Sequence, residues 1–77
     1  QIAIEPEDLI SAIQEVKGVR KITRVRSRWI GSAKSVDLSV TVNPSLSTQQ
    51  SHAIADKIEF ILEEKFDVKD ITIHIES

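Results

Sequence analysis

Cysteine, methionine and tyrosine are all absent from the 77 residues, and the aromatic complement is one tryptophan and two phenylalanines. Without cysteine there can be no disulfide, no thiolate nucleophile, no zinc finger and no iron–sulfur cluster, so any metal chemistry must use nitrogen and oxygen donors. Two glycines in the whole chain exclude a glycine-rich phosphate loop. Scarce aromatics leave no stacking platform for nucleic-acid bases. No apolar run approaches the roughly 18 residues of a membrane-spanning helix, and no basic, then apolar, then small-residue stretch marks a signal segment. Because not even position 1 is methionine, the chain reads as a piece of a longer protein.

What is present is a globular composition, 40% apolar and 29% charged with a net charge of −2, expected to make one domain over residues 1–77. A domain this short buries only about 60% of its unfolded surface, which favours association with another subunit. There is no internal repeat, low-complexity tract or linker.

Pro6 at a first helical position, Glu7 and Asp8 in the first turn, and Leu9, Ile10, Ile13 and Val16 at helical spacing predict a helix over about 6–17, stopped by Gly18. From Ile22 to Trp29 the chain alternates, with Thr23, Val25, Ser27 and Trp29 on one side and Ile22, Arg24, Arg26 and Arg28 on the other. Residues 30–33 connect this strand to a second, in which Val36, Leu38, Val40 and Val42 alternate with Asp37, Ser39 and Thr41, so the pair reads as a hairpin. Asn43 and Pro44 break it. Ser47 with Gln50 forms a capping box for a second helix over about 47–65, with Ile54, Ile58, Ile61 and Leu62 on its apolar stripe. A last strand places Ile71, Ile73 and Ile75 on one face and Thr72, His74 and Glu76 on the other.

The fold expected is α+β: an open-faced α-β-β-α-β sandwich of ferredoxin-like character, with two helices on one face of a three-stranded sheet. The strand residues suited to meet the helices are Val25, Trp29, Val36, Leu38, Val40, Val42, Ile71, Ile73 and Ile75, with Trp29 partly buried by default. The other face is left open. Phe60 lies off the main stripe of the second helix and has a choice between packing and subunit contact.

Lys17, Arg20, Lys21, Arg24, Arg26, Arg28 and Lys34 follow one another with no acid between them. Such a stretch fits either a phosphate-binding patch or a solvated strand face that discourages edge pairing; the acidic net charge and lack of interleaved aromatics favour the second. His74 and Glu76, two apart on a strand, leave the same face about 7 Å apart, and Asp37 belongs to that face too. His52, in the first turns of the second helix, would have to approach from an edge or another subunit. These donors suit zinc, iron(II), cobalt or manganese. No serine–histidine–aspartate setting accompanies them, and no enzymatic activity is expected.

Taken in order, Val16-Lys17-Gly18-Val19, Arg24-Val25-Arg26, Val36-Asp37-Leu38-Ser39-Val40, Ser51-His52-Ala53-Ile54-Ala55-Asp56 and Ile73-His74-Ile75-Glu76 resemble the cytoplasmic C-terminal domain of the cation diffusion facilitators, proton-coupled exporters of divalent metals. The resemblance runs from Val16 to Glu76. It implies a metallochaperone-like fold, a homodimer shaped as a V beneath the transmembrane domain of the same transporter, a location on the cytoplasmic side of a membrane, and no nucleic-acid partner. The transmembrane part would lie outside these residues. It further implies a regulatory role, with a divalent cation (zinc, iron(II) or manganese) bound at the dimer faces by His52, His74, Asp37 and, more weakly, Glu76. Many members carry histidine where this chain has Ser39; the magnetosome-associated branch also departs from the usual zinc pattern and is the expected subgroup. Carboxylates facing each other across the dimer would repel until a cation bridges them and closes the V. The alternative is a dimerisation scaffold that binds no metal usefully.

Overall fold

The structure, a computed structural model, describes residues 1–77. In chain order it consists of α1 (Pro6–Ile13), β1 (Lys21–Ile30), β2 (Ala33–Thr41), α2 (Thr48–Phe66) and β3 (Val68–Glu76). The sheet order is β1-β2-β3, antiparallel between β1 and β2 and parallel between β2 and β3, as the crossover through α2 requires. Both helices lie on one face: α1 packs over β1 and α2 over β3. The α-β-β-α-β sandwich is therefore as expected.

The core is the seam between helices and sheet. Val36, Leu38, Val40 and Val42 from the central strand meet Leu9 and Ile13 of α1 and Ile54, Ile58 and Leu62 of α2, closed by Ile4, Val16 and Val68. Leu38 sits at the middle with no exposed surface, so truncating it to alanine would cost about 2–5 kcal/mol. Ile71, Ile73 and Ile75 face the helices as expected but stay half-buried, because β3 is an edge strand with one neighbour.

Three expectations are corrected. The first helix ends at Ile13, not near residue 17. Residues 14–20 must reverse the chain and deliver the Arg20 N–H to the Thr41 carbonyl at 2.9 Å, and they do so by tight turns in which Val16 N–H donates to Ile13 and Val19 N–H to Val16. Within this reversal Gly18 takes φ +101° and lies against Ile54.

The second correction concerns β1. Its register slips between Ile22 and Arg24, leaving Thr23 as an extra residue. Ile22 pairs with Val40 and Val25 with Leu38, so Ile22 joins the helix-facing side and packs on the core, whereas Thr23 turns to the open side. Strict alternation had put each on the other face.

Third, Trp29 is 46% exposed rather than part of the core. It lies one residue before the end of β1, with the Lys34 ammonium 5.8 Å from the ring centroid. Lys34 also donates to the Phe66 carbonyl at 2.9 Å, closing the C-terminal end of α2, where Asp67 adopts the left-handed conformation. At the other end the capping box forms as predicted, Gln50 N–H to Ser47 Oγ at 3.1 Å and Ser47 N–H to Gln50 Oε1 at 2.8 Å.

Candidate functional site

The sheet face turned away from the helices is built from three polar rows. Cross-strand pairing aligns Arg24, Ser39 and His74; Arg26, Asp37 and Thr72; and Arg28, Ser35 and Asp70. The period of two in each strand puts these residues on one side, and apolar partners at the intervening positions hold the strands onto the core.

Asp37 occupies the central strand, and His74 lies one step along β3. Their side chains meet: His74 Nε2 is 3.6 Å from Asp37 Oδ1. That oxygen is shielded from solvent and has no hydrogen-bond partner. Arg26, directly opposite on the ladder, forms no ion pair with it; the molecule's ion pairs are Lys69–Asp67 and His74–Asp37. A shielded carboxylate oxygen without a donor is costly unless something satisfies it, and a cation or the protonated imidazole would do so. Carboxylate and imidazole together are a donor set that suits a borderline divalent ion.

Glu76 shares the open face but is engaged elsewhere, its Oε1 accepting from the Thr23 hydroxyl at 3.2 Å. That hydroxyl is also 3.4 Å from the Ser39 carbonyl. His52 is exposed in the first turns of α2, on the opposite layer of the sandwich from Asp37 and His74. Of the four residues singled out from sequence, the structure brings together Asp37 and His74 and leaves His52 and Glu76 apart from them. No three histidine, aspartate or glutamate side chains converge within one chain. Any fuller coordination shell must therefore draw on water or on a second copy.

Ser35 and Asp70 were missed. The Ser35 hydroxyl donates to Asp70 Oδ2 at 2.9 Å, and both line a cleft of about 440 Å³ on the open face, with Arg26, Arg28, Asp37 and Thr72 among its walls. The signal was available: β3 begins at Val68, and the alternation of Thr72, His74 and Glu76 extends back to Asp70.

Residues 3–77 match the family described as cation efflux protein, cytoplasmic domain. The manganese efflux system protein MneS of Bacillus subtilis (strain 168) is 31% identical over 64 residues, 83% of this chain and 22% of that protein. The cation-efflux pump FieF of Klebsiella pneumoniae subsp. pneumoniae is 27% identical over 70 residues, 91% of this chain and 23% of that protein. The chain thus spans less than a quarter of the length of these relatives. Among solved structures, MamM-CTD 215-293 superposes with a TM-score of 0.84 at 22% identity, covering 92% of this chain and 91% of that one. A nickel form of a MamM CTD variant superposes equally well, with a TM-score of 0.84 at 21% identity and the same coverage. At these identities the likeness establishes the fold, which is the metallochaperone-like arrangement expected.

Proposed function

This chain belongs to the cation efflux proteins, as their cytoplasmic domain, and from that premise we propose that it is a metal-responsive dimerisation domain which couples cytosolic divalent cation to the activity of the transmembrane domain of the same exporter. The family is one of transporters rather than enzymes. The observation that carries the metal reading is the Asp37–His74 pair, with its shielded and unpartnered carboxylate oxygen on an open sheet face. Two donors per chain leave coordination positions unfilled, and a second copy presenting the same face would double the set. His52, exposed on the other layer, would serve a separate and more peripheral ion, and Glu76 remains the weaker candidate on the open face.

The physical basis of the response is charge. Asp37 carboxylates facing each other across a dimer repel, and the arginine rows beside them, Arg24, Arg26 and Arg28, repel their counterparts as well. Both terms hold the arms of a V-shaped homodimer apart. When bound, a divalent ion would supply positive charge shared between the carboxylates, reversing the first repulsion while leaving the second. Moving an open–closed equilibrium from 1:99 to 99:1 needs about a 10⁴-fold preference for the closed state, some 5.5 kcal/mol, so a weak site would shift it only in part.

The relatives bear on the choice among zinc, iron(II) and manganese. MneS, at 31% identity, is named for manganese efflux, which makes manganese the first ion to test. A place in the magnetosome branch has behind it only the fold shared with MamM. Proton coupling and activation of transport are carried over from the family.

A second reading is a scaffold that holds two transporter subunits together without useful metal binding. It is favoured by the absence of any three-donor cluster within a chain and by Ser39, a buried serine where a further histidine would complete the set. Calorimetric titration with manganese, zinc and iron(II) at neutral pH separates the two. Saturable binding that is lost in His74→Ala and reduced in His52→Ala supports the sensor; no binding by the native chain, with the dimer intact by sedimentation, supports the scaffold.

A further inference from the structure

Four large apolar side chains are left exposed, and three of them gather toward the hairpin end: Ile2 at 58%, Trp29 at 46% and Ile30 at 49%. Trp29 and Ile30 point to opposite faces of β1 at the edge of the turn, so the tip is apolar on both sides. Ile2 lies beside Arg26 and Arg28 on the same half of the strand, because Ile4 is fixed to β1 by hydrogen bonds of 2.9 Å between both its backbone groups and the Ser27 hydroxyl. Cations accompany this apolar end. Arg26 and Arg28 stand exposed on the open face without ion-pair partners, and no acid interrupts the sequence from Lys17 to Lys34. Of the nearby acids, Asp67 is engaged by Lys69 at 3.2 Å and Asp70 by the Ser35 hydroxyl, while Asp37, opposite Arg26, lies 3.6 Å from His74.

An indole and an isoleucine at an exposed tip, flanked by long cationic side chains, is the chemistry of the bilayer interface. Tryptophan sits at headgroup level, and arginine meets lipid phosphate with two parallel hydrogen bonds. We propose that the hairpin end of this domain is a membrane-contact surface, in which Trp29 and Ile30 enter the headgroup layer of an anionic bilayer while Arg26 and Arg28 bind its phosphates. The proposal rests on the reading of the chain as a domain held beside the membrane by its transporter. Arg28, Trp29 and Ile30 lie beyond the Asp37 ladder position toward the turn, whereas Arg26 stands directly opposite Asp37, so lipid contact through Arg26 adjoins the metal site. A bilayer contact would fix the tilt of each arm of the dimer, so that closure works against the membrane.

The only tryptophan in the chain lies within the proposed surface, so its fluorescence reports directly on it. With chelator present, so that the outcome is independent of the metal reading, the native chain is titrated with vesicles of phosphatidylcholine, of phosphatidylcholine with phosphatidylglycerol, and with inorganic phosphate alone. The expected result is a blue shift with the anionic vesicles only, quenched by brominated lipid and abolished near 1 M salt, where charges are screened beyond about 3 Å. Arg26→Ala and Arg28→Ala should each weaken vesicle affinity roughly fivefold, and Ile30→Ser should weaken it without changing the salt dependence. Absence of any shift with anionic vesicles overturns the proposal. So does an equal response to phosphate, which would make this a free-anion site, or a shift that follows protein concentration without lipid, which would make it a contact between copies.

Discussion

Substituting Gly18 by alanine tests how the chain reversal before β1 sets the position of α2. A Cβ at residue 18 would lie 2.6 Å from Ile54 Cδ1 and 3.1 Å from its Cγ1, and the residue would be held at φ +101°. The backbone cost for an L-residue in this region is of order 1–2 kcal/mol. The clash falls on the end of a flexible side chain, but Ile54 is core, 8% exposed, and overpacking there costs about another 1–3 kcal/mol. About 3 kcal/mol in all is expected, which for a domain of this size lowers Tm by roughly 12–24 °C. Gly31 is the internal control: its φ is +62° and nothing lies within 4 Å of its Cβ position, so Gly31→Ala should lose only about 1 kcal/mol of backbone preference. Urea denaturation of both variants measures the difference, which isolates the contact with Ile54. Equal losses in the two would refute the argument, since the steric contribution would then be nil.

Removing the cap of α2 by Ser47→Ala should cost about 1 kcal/mol and speed hydrogen exchange at the Gln50 amide, with the rest of the sheet unaffected. Lys34→Met deletes the 2.9 Å bond to the Phe66 carbonyl and the ammonium over Trp29; a loss near 1 kcal/mol and a change in Trp29 emission are expected by thermal melt and fluorescence. Imidazole coordinates through a neutral nitrogen, so metal affinity at a histidine site should fall steadily as solutions are acidified below about pH 6; affinity flat from about pH 5 to 8 in calorimetry would exclude histidine ligation.

The layout of the fold could be read from periodicity because each element carries one unambiguous apolar stripe. Val36 to Val42 alternates without interruption, and the capping box announces α2. What could not be read was count-dependent. The extra residue at Thr23 reverses the faces of Ile22 and Thr23, and no propensity marks it, since threonine suits either side of a strand. Trp29 looked like core because its parity points to the helices, yet it lies one residue before the end of β1 and stays 46% exposed. On the open face, Asp37 and His74 were placed together by parity alone, which is the part of the site that topology decides. Their convergence to 3.6 Å is a side-chain property that parity leaves open, as is the separation of His52 on the other layer. Asp70 continues the alternation of Thr72, His74 and Glu76 but falls in the polar start of β3, and its pairing with Ser35 gives it a place in the cleft.

The bulge at Thr23 also bears on which genetic changes this domain can absorb. Downstream of it, β1 sends Arg24, Arg26 and Arg28 outward; upstream, it sends Ile22 inward. An in-frame loss of that single codon would leave every remaining side chain chemically intact and yet force a choice, either Ile22 exposed or three guanidiniums turned against the core. Substitution at position 23 can be mild, whereas insertion or deletion there is severe. Lineages carrying this domain should therefore vary freely in the identity of residue 23 and hold the number of residues between Gly18 and the hairpin turn constant.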